Sequence, residues 1–187
     1  TKGIIVVGTE NPRYGEEAFC DAIAMISDKL GWPVIADALN PLRSHAEGNS
    51  LLITRYDAFL RDAHKARELF PTAILQIGSL PTSKVFRAWL SSLEAVSFLL
   101  TPRPINTDPL HRIATPLYGD VKSLAEHLQH QRVQASWGKL WLENEQETAS
   151  RLDTKISSID TLFEGKVAWL LSKHLPFDTP VFLASSM

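Results

Sequence analysis

Apolar residues along this chain come in two alternating kinds of run. Ile4-Ile5-Val6-Val7, Val34-Ile35-Ala36, Ala73–Ile77 and Ala95–Leu100 are short, nearly continuous blocks of strand length. Blocks without strict polar alternation predict strands buried on both faces, which is the mark of a parallel sheet. Between them apolar residues recur at helical spacing. Phe19, Ile23, Ile26 and Leu30, with Ala22 beside them, predict a helix over Glu16–Leu30 that stops at Gly31. Further helices are predicted over Tyr56–Phe70, closed by Pro71, over Ser83–Leu90 and over Val121–Leu128, with a short strand around Arg112–Ala114. Asp37–Asn49 is polar and reads as a loop leaving a strand end. This β-α order predicts an α/β fold: a Rossmann-like parallel sheet with helices on both faces, joined by right-handed crossovers.

Beyond His130 the pattern changes. Trp137–Leu162 is polar and helix-prone, with apolar anchors at Leu140, Trp141, Leu152, Ile156 and Ile159. Lys166–Leu175 predicts a new amphipathic helix and Pro180–Ala184 a new buried-type strand. The expected organisation is therefore an α/β domain over 1–130, a helical connector over 131–162, and the first helix and strand of a further domain over 163–187. A start three residues before a strand and a stop at Ser185-Ser186-Met187 suggest a segment of a longer protein.

Composition narrows the function classes. With 187 residues, 44% hydrophobic and 21% charged, the chain has the make-up of an ordinary globular protein. A net charge of −2 and a pI near 6.3 provide no positive field for nucleic acid or an anionic membrane. The apolar blocks fall far short of the ~20 residues a membrane helix needs, so no span is expected. The lone Cys20 sits among Ala18, Phe19, Ala22 and Ile23, which predicts a buried free thiol and a reducing, cytoplasmic setting.

The most chemically suggestive stretch is the strand-to-helix turn Gly78-Ser79-Leu80-Pro81-Thr82-Ser83-Lys84. Backbone N–H groups at a helix start, flanked by hydroxyls and an ammonium, suit a carboxylate or phosphate. The same residues fit a plainer role, with Gly78 turning the strand, Thr82 or Ser83 capping the helix and Lys84 in solvent. The turn has no Gly-x-x-x-x-Gly-Lys-Ser/Thr pattern, and Gly8-Thr9-Glu10-Asn11-Pro12 lacks the dinucleotide fingerprint, so Gly8 reads as a tight strand exit. The histidines at 45, 64, 111, 127, 130 and 174 form no zinc pattern, and His127 with His130 reads as solvated surface. Ser185-Ser186 follows a predicted strand end but sits in no nucleophile elbow.

Several segments together resemble the 2-succinyl-5-enolpyruvyl-6-hydroxy-3-cyclohexene-1-carboxylate synthase (MenD) family of menaquinone and phylloquinone biosynthesis. They are Gly31–Asp37 with Leu39–Arg43, Gln76–Ser79 through Thr82-Ser83-Lys84, Asp108–His111, and Phe182–Ser186. The resemblance implies the middle domain of a thiamine-diphosphate enzyme plus the start of its third. It implies a transferase that decarboxylates 2-oxoglutarate and adds the succinyl-semialdehyde unit to isochorismate, as a homo-oligomer, with thiamine diphosphate and Mg2+ or Mn2+. The activating glutamate and the metal segment of the family lie in its first and later third domains. This stretch alone is therefore expected to be inactive, with no catalytic, cofactor-binding or metal-binding residue of its own. By the resemblance, Lys84, Ser83 and Ser186 are the substrate-side residues, with Lys84 approaching the carboxylates of a dianion. Where some members carry arginine after that lysine, this chain has Val85. The alternative from the residues alone is a stand-alone Rossmann-like module for a small carboxylate or a nucleotide.

Overall fold

The computed structural model describes residues 1–9, 15–45, 48–131, 134–176 and 179–182. The chain divides into two compact units, Thr1–Thr148 and Ala149–Met187.

The first unit is built on six parallel strands: β1 (Gly3–Val7), β2 (Val34–Ala36), β3 (Leu52–Ile53), β4 (Ala73–Ile77), β5 (Val96–Thr101) and β6 (Thr115–Tyr118). Their order across the sheet is β3-β2-β1-β4-β5-β6. Val6 of β1 lies opposite Ile35 of β2 and Gln76 of β4, and every residue of β1 and β4 is buried. Because successive side chains of a strand point to opposite faces, β1 feeds two cores. Ile5 and Val7 join α1 (Glu16–Leu30) and α5 (Val121–His127) on one face. Ile4 and Val6 face the other, with α2 (Tyr56–Phe59), α4 (Lys84–Ser91) and the start of α6 (Ala135–Ser157). Trp137 and Trp141 of α6 sit edge-on to one another and are buried beside Phe59 and Trp89.

Local chemistry explains the element ends. Gly31 adopts φ 63, and its N–H reaches the carbonyls of Ser27 and Asp28, closing α1 with a left-handed cap. Trp32 then packs flat on Gly3, where an added Cβ would fall 2.0 Å from the indole ring. The indole leaves no room for a larger residue there, so glycine begins β1. At the far edge, Pro116 of β6 stands opposite Leu99. The Gly119 N–H bonds back to Thr101 of β5, so by alternation Pro116 aims its nitrogen away from the sheet.

The structure differs from the sequence pattern at four places in this unit. Tyr56–Phe70 is two short helices, α2 and α3 (Ala63–Glu68), because Asp62 accepts from the N–H groups of His64 and Lys65 and starts a new helix. β3 is an additional strand that follows a single 3-10 turn at Pro41–Arg43. The strand expected at Arg112–Ala114 forms instead at Thr115–Tyr118, because Asp108 folds 108–112 into a turn. The expected connector begins as core: Trp137, Trp141, Asn144, Glu145 and Thr148 of α6 are buried.

In the second unit, the last residues of α6 precede α7 (Glu164–His174). Asp153 accepts from the Trp169 indole at 2.8 Å and pairs with Lys173 at 2.9 Å. No residue of α7 is buried. The strand expected over Pro180–Ala184 is not formed at 180–182, where Phe182 is 95% exposed. Leu183, Ala184, Ser185 and Ser186 lie outside the described residues.

Candidate functional site

In a parallel sheet of this order the connections reverse direction between β1 and β4, and ligands sit at the carboxyl ends of the strands there. Gly8 leaves β1 at that point and Gly78, with φ 65, leaves β4. An added Cβ on Gly8 would lie 2.3 Å from the Ser79 carbonyl oxygen. Glycine at position 8 thus serves close packing of two strand exits, and the gap a pyrophosphate would use is occupied by Ser79. Asn40 completes the closure by donating to the Gly8 carbonyl at 2.7 Å.

The turn from Gly78 to Lys84 is fastened at several points. Asp37, at the end of β2 and only 1% exposed, accepts from the Thr82 N–H at 2.7 Å, the Thr82 hydroxyl at 3.0 Å and the Leu39 N–H at 3.0 Å. Burial by itself would raise the Asp37 carboxyl, but these donors, joined by the Thr9 hydroxyl, hold it below the ordinary value. Ser83 accepts from the Phe86 N–H and gives its own hydrogen to Asp57 at 2.5 Å. That bond, with the Arg61 guanidinium, lowers the Asp57 carboxyl. Arg87, one turn into α4, donates to the carbonyls of Pro81 and Leu80. The Gly78 carbonyl accepts from Gln76 and from Thr107, each at 2.9 Å.

Lys84 opens α4 and is exposed. Among the described residues no carboxylate pairs with it. The three expected substrate-side residues therefore fare differently. Lys84 is available to an anion, Ser83 is the helix cap with its proton already committed, and Ser186 lies outside the described residues. The sequence reading did not single out Asp37, Gln76 or Arg112 as site residues. An amide inside the apolar run Ala73–Ile77 was the available signal, since a buried polar side chain in a strand needs partners.

His127 binds the Ser123 carbonyl through Nδ1 on an exposed helix face. Among the described residues no three His, Cys, Asp or Glu side chains converge as a metal donor set. The acidic groups at the strand ends, Asp37 and Asp108, are spent on N–H groups and on Arg112. These residues do not fit thiamine diphosphate with a divalent metal, and no step through that cofactor is assigned to them. No helix among the described residues is long and apolar enough to cross a membrane.

This fold, a doubly wound sheet with a fastened cationic turn at its reversal point, defines an α/β domain of the Rossmann-like class. A family model described as the middle domain of thiamine pyrophosphate matches residues 1–183. The chain belongs to that family of thiamine-pyrophosphate-enzyme middle domains. It is 39% identical over 190 residues to the 2-succinyl-5-enolpyruvyl-6-hydroxy-3-cyclohexene-1-carboxylate synthase of Rippkaea orientalis, covering 100% of this chain and 32% of that protein. The synthases of Gloeothece citriformis, at 38% with 100% of this chain and 32% of that protein, and Trichodesmium erythraeum, at 39% with 99% and 32%, match similarly. The chain spans about a third of the length of these curated relatives.

Proposed function

We propose that this chain is the middle part of a thiamine-diphosphate-dependent synthase that decarboxylates 2-oxoglutarate and joins the resulting succinyl-semialdehyde unit to isochorismate, with Mg2+ or Mn2+ beside the cofactor. Its share of the work is substrate-side: Lys84 faces a carboxylate of isochorismate, and Ser83 fixes the helix start from which Lys84 projects. The observation that carries this reading is an exposed, carboxylate-free lysine on a turn that Asp37, Asp57, Arg87, Gln76 and Thr107 all hold still. A point charge on a preordered turn meets a dianion without first losing backbone freedom, and the adjacent N–H groups of α4 favour the same charge. The likeness to the named synthases over the full chain supports the substrate assignment. The cofactor and its metal are held by parts of the protein beyond these residues, and Ser186 is a second substrate-side residue by its resemblance to the family.

The test is Lys84→Ala in the complete protein. KM for isochorismate should rise about tenfold or more while the melting temperature stays put, as expected for a lost charge-assisted contact at an exposed site. An unchanged KM would leave Lys84 a solvated residue and remove the basis of the reading. The nucleotide-module alternative is disfavoured by Ser79 filling the space beside Gly8.

A further inference from the structure

Two stretches far apart in sequence, Gln76–Lys84 and Asp108–Arg112, meet at the ends of β4 and β5 through one chain of hydrogen bonds. Its centre is Gln76, 1% exposed in the middle of the sheet. An amide so placed is costly unless both of its ends are bonded. The Gln76 oxygen accepts from Arg112 Nη2 at 2.7 Å, and its nitrogen donates to the Gly78 carbonyl at 2.9 Å. A guanidinium can only donate, so it fixes which end of the amide faces it. The nitrogen is thereby turned onto Gly78, at the start of the Lys84 turn.

Arg112 is itself aimed. Asp108, 2% exposed, accepts from Arg112 Nε at 3.0 Å and from the N–H groups of Leu110 and Arg112. His111 takes up the tight bend with φ 49. The Arg112 side chain is only 13% exposed; its Nε is held by Asp108 and its Nη2 by Gln76, while the buried Nη1 has no hydrogen-bond partner among the described residues. We infer that Arg112 is a positioning residue: through Gln76 it holds the Gly78 carbonyl, and with it the turn that presents Lys84 to the substrate. This inference rests on the reading of Lys84 as the substrate cation.

The test uses the complete synthase and five variants: Lys84→Ala, Arg112→Lys, their double variant, Thr107→Val, and Thr107→Val combined with Lys84→Ala. Lysine keeps a cation for Asp108, but one ammonium cannot serve both Asp108 and Gln76 as the fork does. Arg112→Lys should raise KM for isochorismate about tenfold with kcat within about twofold, and the double variant should be no worse than Lys84→Ala alone, since both act through one contact. If Arg112→Lys fails to fold by thermal melting, Thr107→Val, which removes the second donor to Gly78, carries the test. Its KM should rise about threefold, and that rise should vanish in a Lys84→Ala background.

An unchanged KM in Arg112→Lys, or a rise that multiplies fully with that of Lys84→Ala, overturns the inference while leaving Lys84 in place. A Lys84→Ala enzyme of unchanged KM overturns the reading of Lys84 itself and the inference with it.

Discussion

The two units of this chain treat apolar side chains differently. In Thr1–Thr148, the helix stripe of α1 meets a sheet face, and Ile23 and Ile26 lose all solvent exposure. In Ala149–Met187, Val167 and Leu171 of α7, with Leu175 just after it, stay 38–40% exposed, although their spacing is just as helical. Periodicity states which face of a helix wants cover. It does not state whether the same stretch of chain supplies that cover, and the contrast within α6 makes the point: Trp137 and Trp141 are buried, whereas no residue after Thr148 is.

The comparison can be broken most directly with paired truncations. Trp141→Ala should cost about 3–5 kcal/mol in chemical denaturation, because a fully buried indole leaves a cavity among Phe59, Trp89 and Trp137. Leu171→Ala should cost under about 1 kcal/mol, since much of its surface is already in water. Equal losses would mean that the second unit is as well packed as the first. Amide exchange offers the same contrast without mutation, with strong protection in β1 and β4 and weak protection in α7.

A smaller effect is expected at the turn. Asp37→Ala strands the Thr82 and Leu39 N–H groups and should cost about 1–3 kcal/mol. Titration sharpens this. The folded Asp37 carboxyl lies below its ordinary value, so its contribution is complete above about pH 4 and disappears as the pH falls through the lower folded value. Asp37→Asn should flatten that acid limb, as read by denaturation midpoints between about pH 5 and pH 2. On the alkaline side, burial pushes the Tyr56 hydroxyl up to about 12. Its contribution should be intact below about pH 10 and fade as pH rises toward that value, an effect absent in Tyr56→Phe. Smallest of all, Lys84→Ala should change stability by less than about 0.5 kcal/mol, which separates a residue kept for a ligand from those that keep the fold.

Legibility of the sequence tracked the range of the interaction involved. β1, β4 and α1 were readable because their burial is continuous or strictly periodic, and Gly31 marked its cap. β3 was not, since Leu52-Ile53 is too short to show a period. The break between α2 and α3 was hidden because apolar spacing runs on through Leu60, although Asp62 before Ala63-His64-Lys65 is a cap signal. The displaced β6 shows a tertiary preference overriding a local one, since Arg112 is taken by Asp108 and Gln76 and drops out of any strand. The Lys84 turn was visible from its residue types. Its fastenings were not, because Asp37 and Thr82 are 45 positions apart and Arg112 and Gln76 are 36 apart.

Pro116 carries a consequence for how this molecule can meet its neighbours. One margin of the sheet is a two-residue strand and the other has lost an outward donor to an imide nitrogen. Neither margin is a good template for a seventh strand, so growth by backbone ladder is discouraged at both ends. Larger assemblies that include this domain must then be held by helix faces and loops, where side-chain identity, and not strand pairing, selects the partner.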